Sequence, residues 1–238
     1  MTQIIDMPAE LARRISNQNL WLRGRTGTAG KGTSNREQIL FTENRTWVCP
    51  LDLVALPSSL RLTARLLAQR LNGRVNILRV PVCNRGTLQY LGNDSQFYED
   101  AGISAEAISL GYIGFSDGSE FSDGSGFALP TYDEPTVSAD AAEGATSISL
   151  SGLIGAQLEP GARFSINDFL YQVDENTAGV VTFAPPLRES VAVGDAVKVS
   201  YPTIQMRLTS DDGYEPFEQF GRQVASTTLM LEEEFERV

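Results

Sequence analysis

The chain has 238 residues, 42% hydrophobic and 21% charged, a composition that is ordinary for a folded protein with a sizeable core. Its 30 acidic and 19 basic residues give a net charge of −11, which argues against nonspecific nucleic-acid binding and against an anionic membrane surface as partner. Histidine is absent, which removes the commonest general base and the commonest metal ligand.

The two cysteines, Cys49 and Cys83, are too few for a disulfide framework or a zinc site. We expect both to be reduced thiols in the core, because free cysteine is among the most buried residue types. The first residues lack a basic start followed by an apolar run, so no signal peptide is expected. No apolar run approaches the roughly 18 residues of a membrane span, so no membrane insertion is expected.

The first sixty residues are expected to be mostly extended. Leu20 and Leu22 alternate about Trp21, which predicts a strand there. Residues 24–35 are rich in Gly, Thr and Ser and predict a flexible surface loop. Residues 38–57 are rich in β-branched and aromatic side chains and predict two or three strand segments.

A helix is predicted over residues 58–72. Its apolar residues recur at helical spacing, at Leu60, Ala64, Leu67 and Leu71. Ser58 or Ser59 is expected to cap its start, and Gly73 to take the left-handed conformation at its end.

The other face of this helix carries three basic residues, Arg61, Arg65 and Arg70. The favoured interpretation is a solvated helix face, and the alternative is a basic contact with an acidic neighbouring subunit. The helix is followed by a predicted buried strand at residues 75–83, which residues 89–91 could pair with.

Residues 114–127 contain a short repeat, FSDGSE followed by FSDGSG. Each copy contains Asp-Gly, the strongest short-range turn signal, so two turns are predicted. The carboxylates of Asp117, Glu120 and Asp123 would be calcium ligands in the alternative interpretation, although their spacing fits neither common calcium-loop pattern. As an interaction loop, the segment would use Phe115, Asp117, Phe121, Asp123 and Phe127.

Residues 136–201 form a string of short β segments with turns at regular spacing, which predicts a small all-β module of barrel type. Strands are also predicted at residues 203–210 and 224–231, and the run Glu232-Glu233-Glu234 is interpreted as a solvated terminus. The fold class expected is mainly β, with an outer β-sandwich carrying one helix and an inserted barrel-like domain. The outer domain would comprise residues 1–133 and 203–238, and the inserted domain residues 134–202.

No motif predicts an enzyme. A phosphate loop ending at Gly30-Lys31 would need Gly at position 25 and a hydroxyl after the lysine, but these positions hold Arg25 and Gly32. Histidine-based triads are excluded, and a Ser–Lys pair would have to use Lys31 or Lys198, the only lysines. We therefore expect no catalytic residues, no cofactor and no metal.

Three segments in this order resemble distal tail proteins and related minor tail proteins of tailed bacteriophages. The first is RTWVCPL at residues 45–51, followed by the predicted helix and LNGRVNILRVP. The second is FSDGSEFSDGSGF at 115–127, and the third is LEPGARFSINDFLYQVDE with VTFAPPLRESVAVGDAVKV between residues 158 and 199. The likeness covers roughly residues 40–205.

This resemblance implies an outer β-sandwich whose copies form a ring, commonly a hexamer, at the tail tip of the virion. The ring would join the tail tube protein to the hub or baseplate proteins, without direct nucleic-acid recognition, and an acidic lumen would let DNA pass. The alternative function is a carbohydrate-binding or host-recognition module. Its candidate aromatic residues are Phe164, Phe169, Tyr171 and Tyr201, unless Phe169 and Tyr171 form the core of the inserted module.

Overall fold

The computed structural model describes most of the chain in separate stretches, residues 2–31, 37–82, 103–104, 107, 112–113, 126–128, 134–153, 158–211 and 225–235. Within them, only the backbone is described for residues 25–31, 37–44, 55, 58, 128, 225 and 226. Strands dominate the described residues, so the predicted mainly-β class is confirmed. The predictions for Cys83, residues 89–91 and most of the FSDGS repeat lie outside the described residues.

The large sheet draws its strands from both ends of the chain. Its seven strands are β1 (Ile4–Asp6), β2 (Ile15–Gln18), β3 (Trp21–Lys31), β4 (Glu37–Leu56), β5 (Ile77–Pro81), β13 (Thr203–Leu208) and β14 (Ala225–Glu233). They lie in the order β1-β5-β13-β14-β4-β2, with β3 also paired to β4. Only β1 and β5 are parallel among these pairs.

One face of the large sheet is apolar because its strands alternate. In β14, Leu229 and Leu231 are fully buried, whereas Met230 between them is exposed on the other face. Two helices belong to this unit, α1 (Ala9–Ala12) and α2 (Ser58–Leu71). The first core joins this sheet face to α2 through Ala64, Leu67 and Leu71.

The predicted helix is confirmed as α2, but its start differs. Pro57 occupies the N-cap position in an extended conformation with no side-chain cap, so the prediction that Ser58 or Ser59 caps the helix was wrong. Proline has a φ suited to a helix boundary, and Ser58 behind it is already helical. At the other end Asn72 takes the left-handed conformation at φ 49°, and Gly73 follows at 61°. The four-residue α1 was not predicted, since one turn is too short to show a period.

The loop predicted at residues 24–35 was wrong for residues 24–31, which continue β3. They pair antiparallel with β4, where Thr26 lies opposite Phe41 and Thr28 opposite Ile39. Pairing with a β-branched and aromatic partner strand therefore overrides the low strand preference of glycine. The two or three segments predicted in residues 38–57 are one strand, because register shifts rather than breaks absorb its irregularities.

The small sheet comprises five strands in the order β10-β11-β12-β9-β8. Their bounds are β8 (Thr136–Val137), β9 (Ser147–Ser151), β10 (Arg163–Ile166), β11 (Phe169–Thr177) and β12 (Val180–Ala184). Single bridges from Ala196 to Thr136 and from Lys198 to Ser165 connect its two edges. The last part of the predicted string of β segments thus forms single bridges at Ala196 and Lys198, and it curls the sheet around a second core.

The second core is centred on three aromatic rings. Phe164, Tyr171 and Phe183 lie with ring centroids 5.1–5.5 Å apart in tilted and edge-to-face arrangements. Phe169 is buried in the same core. Of the four aromatics considered for a sugar groove, only Tyr201 is exposed, so the interpretation of Phe169 and Tyr171 as core residues is confirmed.

A two-stranded sheet, β6 (Tyr112–Ile113) with β7 (Phe127–Ala128), completes the described strands. Cys49 is a reduced, fully buried thiol, as predicted. In the part of the chain that the structure describes, neither helix has the length and apolar character needed to cross a bilayer.

Candidate functional site: the junction of the two sheets

The small sheet meets the large sheet through two clusters of polar side chains. In β11, Leu170 lies in the first core, whereas its sequence neighbours Phe169 and Tyr171 lie in the second core. Alternation along β11 therefore places one strand against both cores. The polar residues around it determine how the two sheets are held together.

The first group, here the Asp168 cluster, comprises Asp168, Arg79, Lys198, Thr203 and Gln205. Asp168 lies in the β10–β11 turn, where Asn167 and Asp168 both have positive φ, a conformation that Asn and Asp tolerate. Its carboxylate accepts hydrogen bonds from Arg79 Nε at 2.8 Å, Lys198 Nζ at 2.9 Å and Gln205 Nε2 at 3.1 Å. The Thr203 hydroxyl donates a further one. Arg79, Thr203 and Gln205 belong to β5 and β13, so one carboxylate connects the small sheet to the large one.

Two opposing influences act on the pKa of the Asp168 carboxyl. Burial by itself would raise the pKa of this carboxyl. Hydrogen bonds from Thr203, Lys198 and Gln205, together with the charge of Lys198, outweigh burial and hold the pKa well below its usual range. Asp168 is therefore a carboxylate at neutral pH, and it is a poor base.

The second group, the Glu233 cluster, comprises Glu233, Arg188, Trp47 and Arg45. Arg188 Nη2 lies 3.1 Å from Glu233 Oε2, and the Trp47 backbone N–H donates to the same oxygen at 3.1 Å. The Arg188 guanidinium also donates to the backbone carbonyl of Arg45 and lies 4.8 Å from the ring centre of Phe235. The interpretation of residues 232–234 as a solvated terminus was therefore wrong at Glu233.

Trp47 extends this cluster toward β11. Its indole Nε1 donates to the Leu170 carbonyl at 2.7 Å, and the Arg163 guanidinium lies 5.5 Å from its ring centre. Arg163 also donates to the Leu20 carbonyl at 3.0 Å, and burial lowers the pKa of its guanidinium. Both contacts join the small sheet to the first core.

Tyr171 contacts the Glu233 cluster from the second core. Its hydroxyl accepts the backbone N–H of Arg188 at 3.1 Å. Burial raises the pKa of Tyr171 to about 12, against the lowering effect of that N–H and of the Arg188 charge. The phenol therefore stays neutral near pH 7 and anchors the backbone at Arg188.

Two cavities lie beside Pro186, next to the Glu233 cluster. The larger, of about 500 Å³, is lined by Glu143, Gly144, Phe169, Pro186, Leu187, Arg188 and Phe235. The smaller, of about 380 Å³, is lined by Arg45, Thr146, Asp174, Thr182, Phe183, Ala184, Pro185 and Pro186. Both are within the size range of small-molecule sites.

The arrangement of the junction suits positioning better than catalysis. The Asp168 carboxylate pairs with Arg79 and Lys198, and the Glu233 carboxylate pairs with Arg188, so both are engaged in ion pairs within the fold. Across the described ranges, no group of three or more Cys, Asp or Glu residues is placed to hold a metal ion. What the two clusters do is fix the orientation of one sheet relative to the other.

The three arginines of the predicted basic face of α2 differ in their exposure. Arg65 and Arg70 are exposed on α2, whereas Arg61 is half-buried and its Nε donates to the Leu56 carbonyl at 3.3 Å. Of the predicted interaction loop, Phe127 is exposed in β7, opposite Ile113. Phe115, Asp117, Phe121 and Asp123 lie outside the described residues.

The exposed leucines of α2 were not predicted. Leu62 is 65% exposed and Leu66 53% exposed, although the helix buries a complete apolar face on its other side. The sequence did contain an indication of this second apolar side, because Leu62 and Leu66 are four residues apart and fall between the buried positions of the helix.

Comparison with models of known protein families and with curated proteins gives no match for this chain.

Proposed function

We propose that this chain is a structural protein of a bacteriophage tail tip, whose copies form a ring between the tail tube and the baseplate or hub proteins. The observation that carries the proposal is the solvent face of α2, where two leucines lie exposed beside arginines. Exposed apolar residues grouped on one element mark surfaces that assemble with a partner. The resemblance of residues 40–205 to distal tail proteins supplies the setting.

The junction supports the same proposal. A ring subunit must carry load between two neighbours without changing shape, and the Asp168 and Glu233 clusters fix the two sheets by ion pairs. The net charge of −11 suits a conduit that must not retain DNA. In this proposal the chain has no catalytic activity, and its place is the virion.

The test is the state of assembly of the purified full chain. Native mass spectrometry should detect a closed oligomer of the 25.9 kDa chain, and negative-stain electron microscopy should reveal rings. Adding the tail tube protein encoded in the same genome should yield a complex in which rings sit at tube ends. A chain that stays monomeric at every concentration and ignores the tube protein would contradict the proposal.

A second candidate is host recognition through sugars, and the two cavities beside Pro186 favour it. Phe235 in the larger cavity is 43% exposed and offers an apolar ring surface to a sugar. The buried Phe164, Phe169 and Tyr171 cannot contribute a stacking face. Glycan-array binding by the full chain, lost in a Phe235→Ala variant, would support this candidate, and a blank array would remove it.

A further inference from the structure

Helix α2 is apolar on two opposite sides. At about 100° per residue, Leu62 and Leu66 lie about 40° apart, roughly opposite the buried side of the helix. That buried side is formed by Ala64, Leu67 and Leu71. A surface helix normally has a polar outer face. The second apolar stripe is therefore exposed and does not take part in the first core.

The flanks of this stripe carry only positive charge. By the same helical geometry, Arg65 and Arg70 lie about 60–80° to either side of Leu62, and both are exposed. Residues 58–71 contain three arginines and no acidic residue. In a chain of net charge −11, the α2 face (Leu62, Leu66, Arg65 and Arg70) is a basic surface with an apolar centre. It calls for an acidic partner with some apolar area.

The small unit of this same chain has that character. Residues 134–202 contain nine acidic and three basic residues, a net charge of −6. Its basic residues are committed within the fold, since Arg163 lies over Trp47, Arg188 pairs with Glu233 and Lys198 pairs with Asp168. The outer surface of the unit is therefore dominated by carboxylates.

Among these carboxylates, the β11–β12 hairpin offers the best match. Asp174, Glu175 and Val180 are all exposed, and a register shift between residues 173 and 175 accompanies two successive exposed acids. The acids near the other exposed valine, Val193, accept backbone N–H groups, that of Val193 at Asp140 and that of Ala192 at Asp195. In the hairpin, Glu175 accepts the Thr177 hydroxyl at 3.2 Å. The hairpin surface (Asp174, Glu175 and Val180) has an apolar residue beside two charges, as the α2 face does.

We propose that the α2 face of one copy docks on the hairpin surface of a second copy, with Arg65 and Arg70 against Asp174 and Glu175. This inference rests on the proposed function, and it identifies the subunit contact of the ring. The two surfaces differ, so the contact is head-to-tail, and every copy keeps one surface of each kind available. Such contacts continue until a ring closes, or else form a filament.

Charge reversal with rescue tests the contact. Arg65→Glu/Arg70→Glu and Asp174→Lys/Glu175→Lys each place like charges opposite one another, so each double variant should lose the assembled species and run as a 25.9 kDa monomer. Combining all four changes restores opposite charges and should restore the assembly. Native mass spectrometry and light scattering after size exclusion measure these masses, while thermal melts check that every variant is folded.

A matched control uses acids elsewhere on the unit. Glu143→Lys/Glu159→Lys makes the same change in net charge at two exposed acids outside the hairpin, and it should leave the assembly intact. Leu62→Ser/Leu66→Ser should weaken assembly without altering its charge. High salt should weaken the wild-type assembly.

The outcomes separate this inference from the proposed function. If the wild type forms rings that neither reversal disturbs, or if the fourfold variant fails to reassemble, the contact is wrong while the ring stands. If the reversals and rescue behave as stated but microscopy finds only open filaments, the contact is right and the ring is wrong. A wild type that is monomeric throughout overturns both.

Discussion

The Glu233 cluster and the Asp168 cluster join the same two sheets with opposite exposure to water. In the first, the side chain of Glu233 is 0% exposed and that of Arg188 is 8% exposed. In the second, Asp168 is 9% exposed, but its partners Arg79 and Lys198 are 34% and 44% exposed. When one partner of a buried ion pair is removed, water cannot solvate the charge that remains. In a half-exposed pair, water can solvate the remaining charge. The first cluster should therefore be the one on which stability depends most.

The largest expected effect is at Arg188. Arg188→Met keeps most of the side-chain volume but removes the cation that pairs with the buried Glu233, so the free energy of unfolding should fall by about 3–5 kcal/mol. Urea unfolding followed by tryptophan fluorescence measures this. The double variant Arg188→Met/Glu233→Leu should recover most of the loss, because no buried charge remains. A single-variant loss below about 1 kcal/mol would mean that water reaches Glu233.

The next effect is at Trp47. Trp47→Phe keeps an aromatic ring but removes the Nε1 donor, leaving the Leu170 carbonyl without this hydrogen bond. The free energy of unfolding should fall by about 1–3 kcal/mol. Trp21→Phe is the matched control, since Trp21 is exposed on β3 and the same change there should fall within about 0.5 kcal/mol. Equal losses at both positions would mean that the Leu170 contact contributes nothing.

The effect at Asp168 should be smaller and should depend on pH. Asp168→Asn removes the charge while keeping the shape, and with half-exposed partners it should cost about 1–2 kcal/mol near pH 7. The folded pKa of Asp168 lies below the unfolded value of about 3.9. The unfolded chain therefore binds this proton more readily, so the contribution is full above that value and is lost as the pH falls below it.

Urea unfolding at a series of pH values checks this. The wild type should lose stability between about pH 5 and pH 2, and the Asp168→Asn variant should lose less over the same range. Parallel curves for the two proteins would show that Asp168 has an ordinary pKa in the folded chain.

The smallest effect is expected where both partners face water. Arg23 pairs with Glu232 at 3.1 Å on the exposed face of the large sheet, and Arg74 approaches the same carboxylate at 3.1 Å. Arg23→Gln should change the free energy of unfolding by less than about 1 kcal/mol, and added salt should abolish even that difference. A loss matching that of Arg188→Met would overturn the ranking by exposure.

The sequence predicted elements whose signal is local. The period of Leu60, Ala64, Leu67 and Leu71 placed α2 within a residue of its ends, and the Thr-rich stretch at 224–231 became β14. The continuation of β3 through its glycines was missed, because its own residues do not favour a strand and the pairing with β4 supplies the stability, with Gly27 opposite Leu40 and Lys31 opposite Glu37.

The junction was missed for a related reason. Leu229, Leu231 and Glu233 share one face of β14, so strand alternation placed Glu233 inward. The local pattern does not show that Arg188, 45 residues earlier in the chain, pairs with Glu233. The charge of Arg188 compensates for the burial of the Glu233 carboxylate. Asp168 was not predicted either, because its partners Arg79 and Gln205 lie on β5 and β13, far from it in the sequence.

The way β5 and β13 lie side by side has a consequence for how such a chain could be remodelled. Pro81 and Thr203 are register partners, and the Val82 N–H donates to the Pro202 carbonyl at 2.8 Å. The chain thus leaves the large sheet at β5 and re-enters it at β13 at neighbouring positions. Ends that lie this close together favour the exchange of an inserted segment. A replacement segment would have to begin and end at the neighbouring ends of β5 and β13. It would pack against the large sheet as the present segment does only if it supplied a hydrogen-bond acceptor for the Trp47 indole N–H and a carboxylate for Arg79.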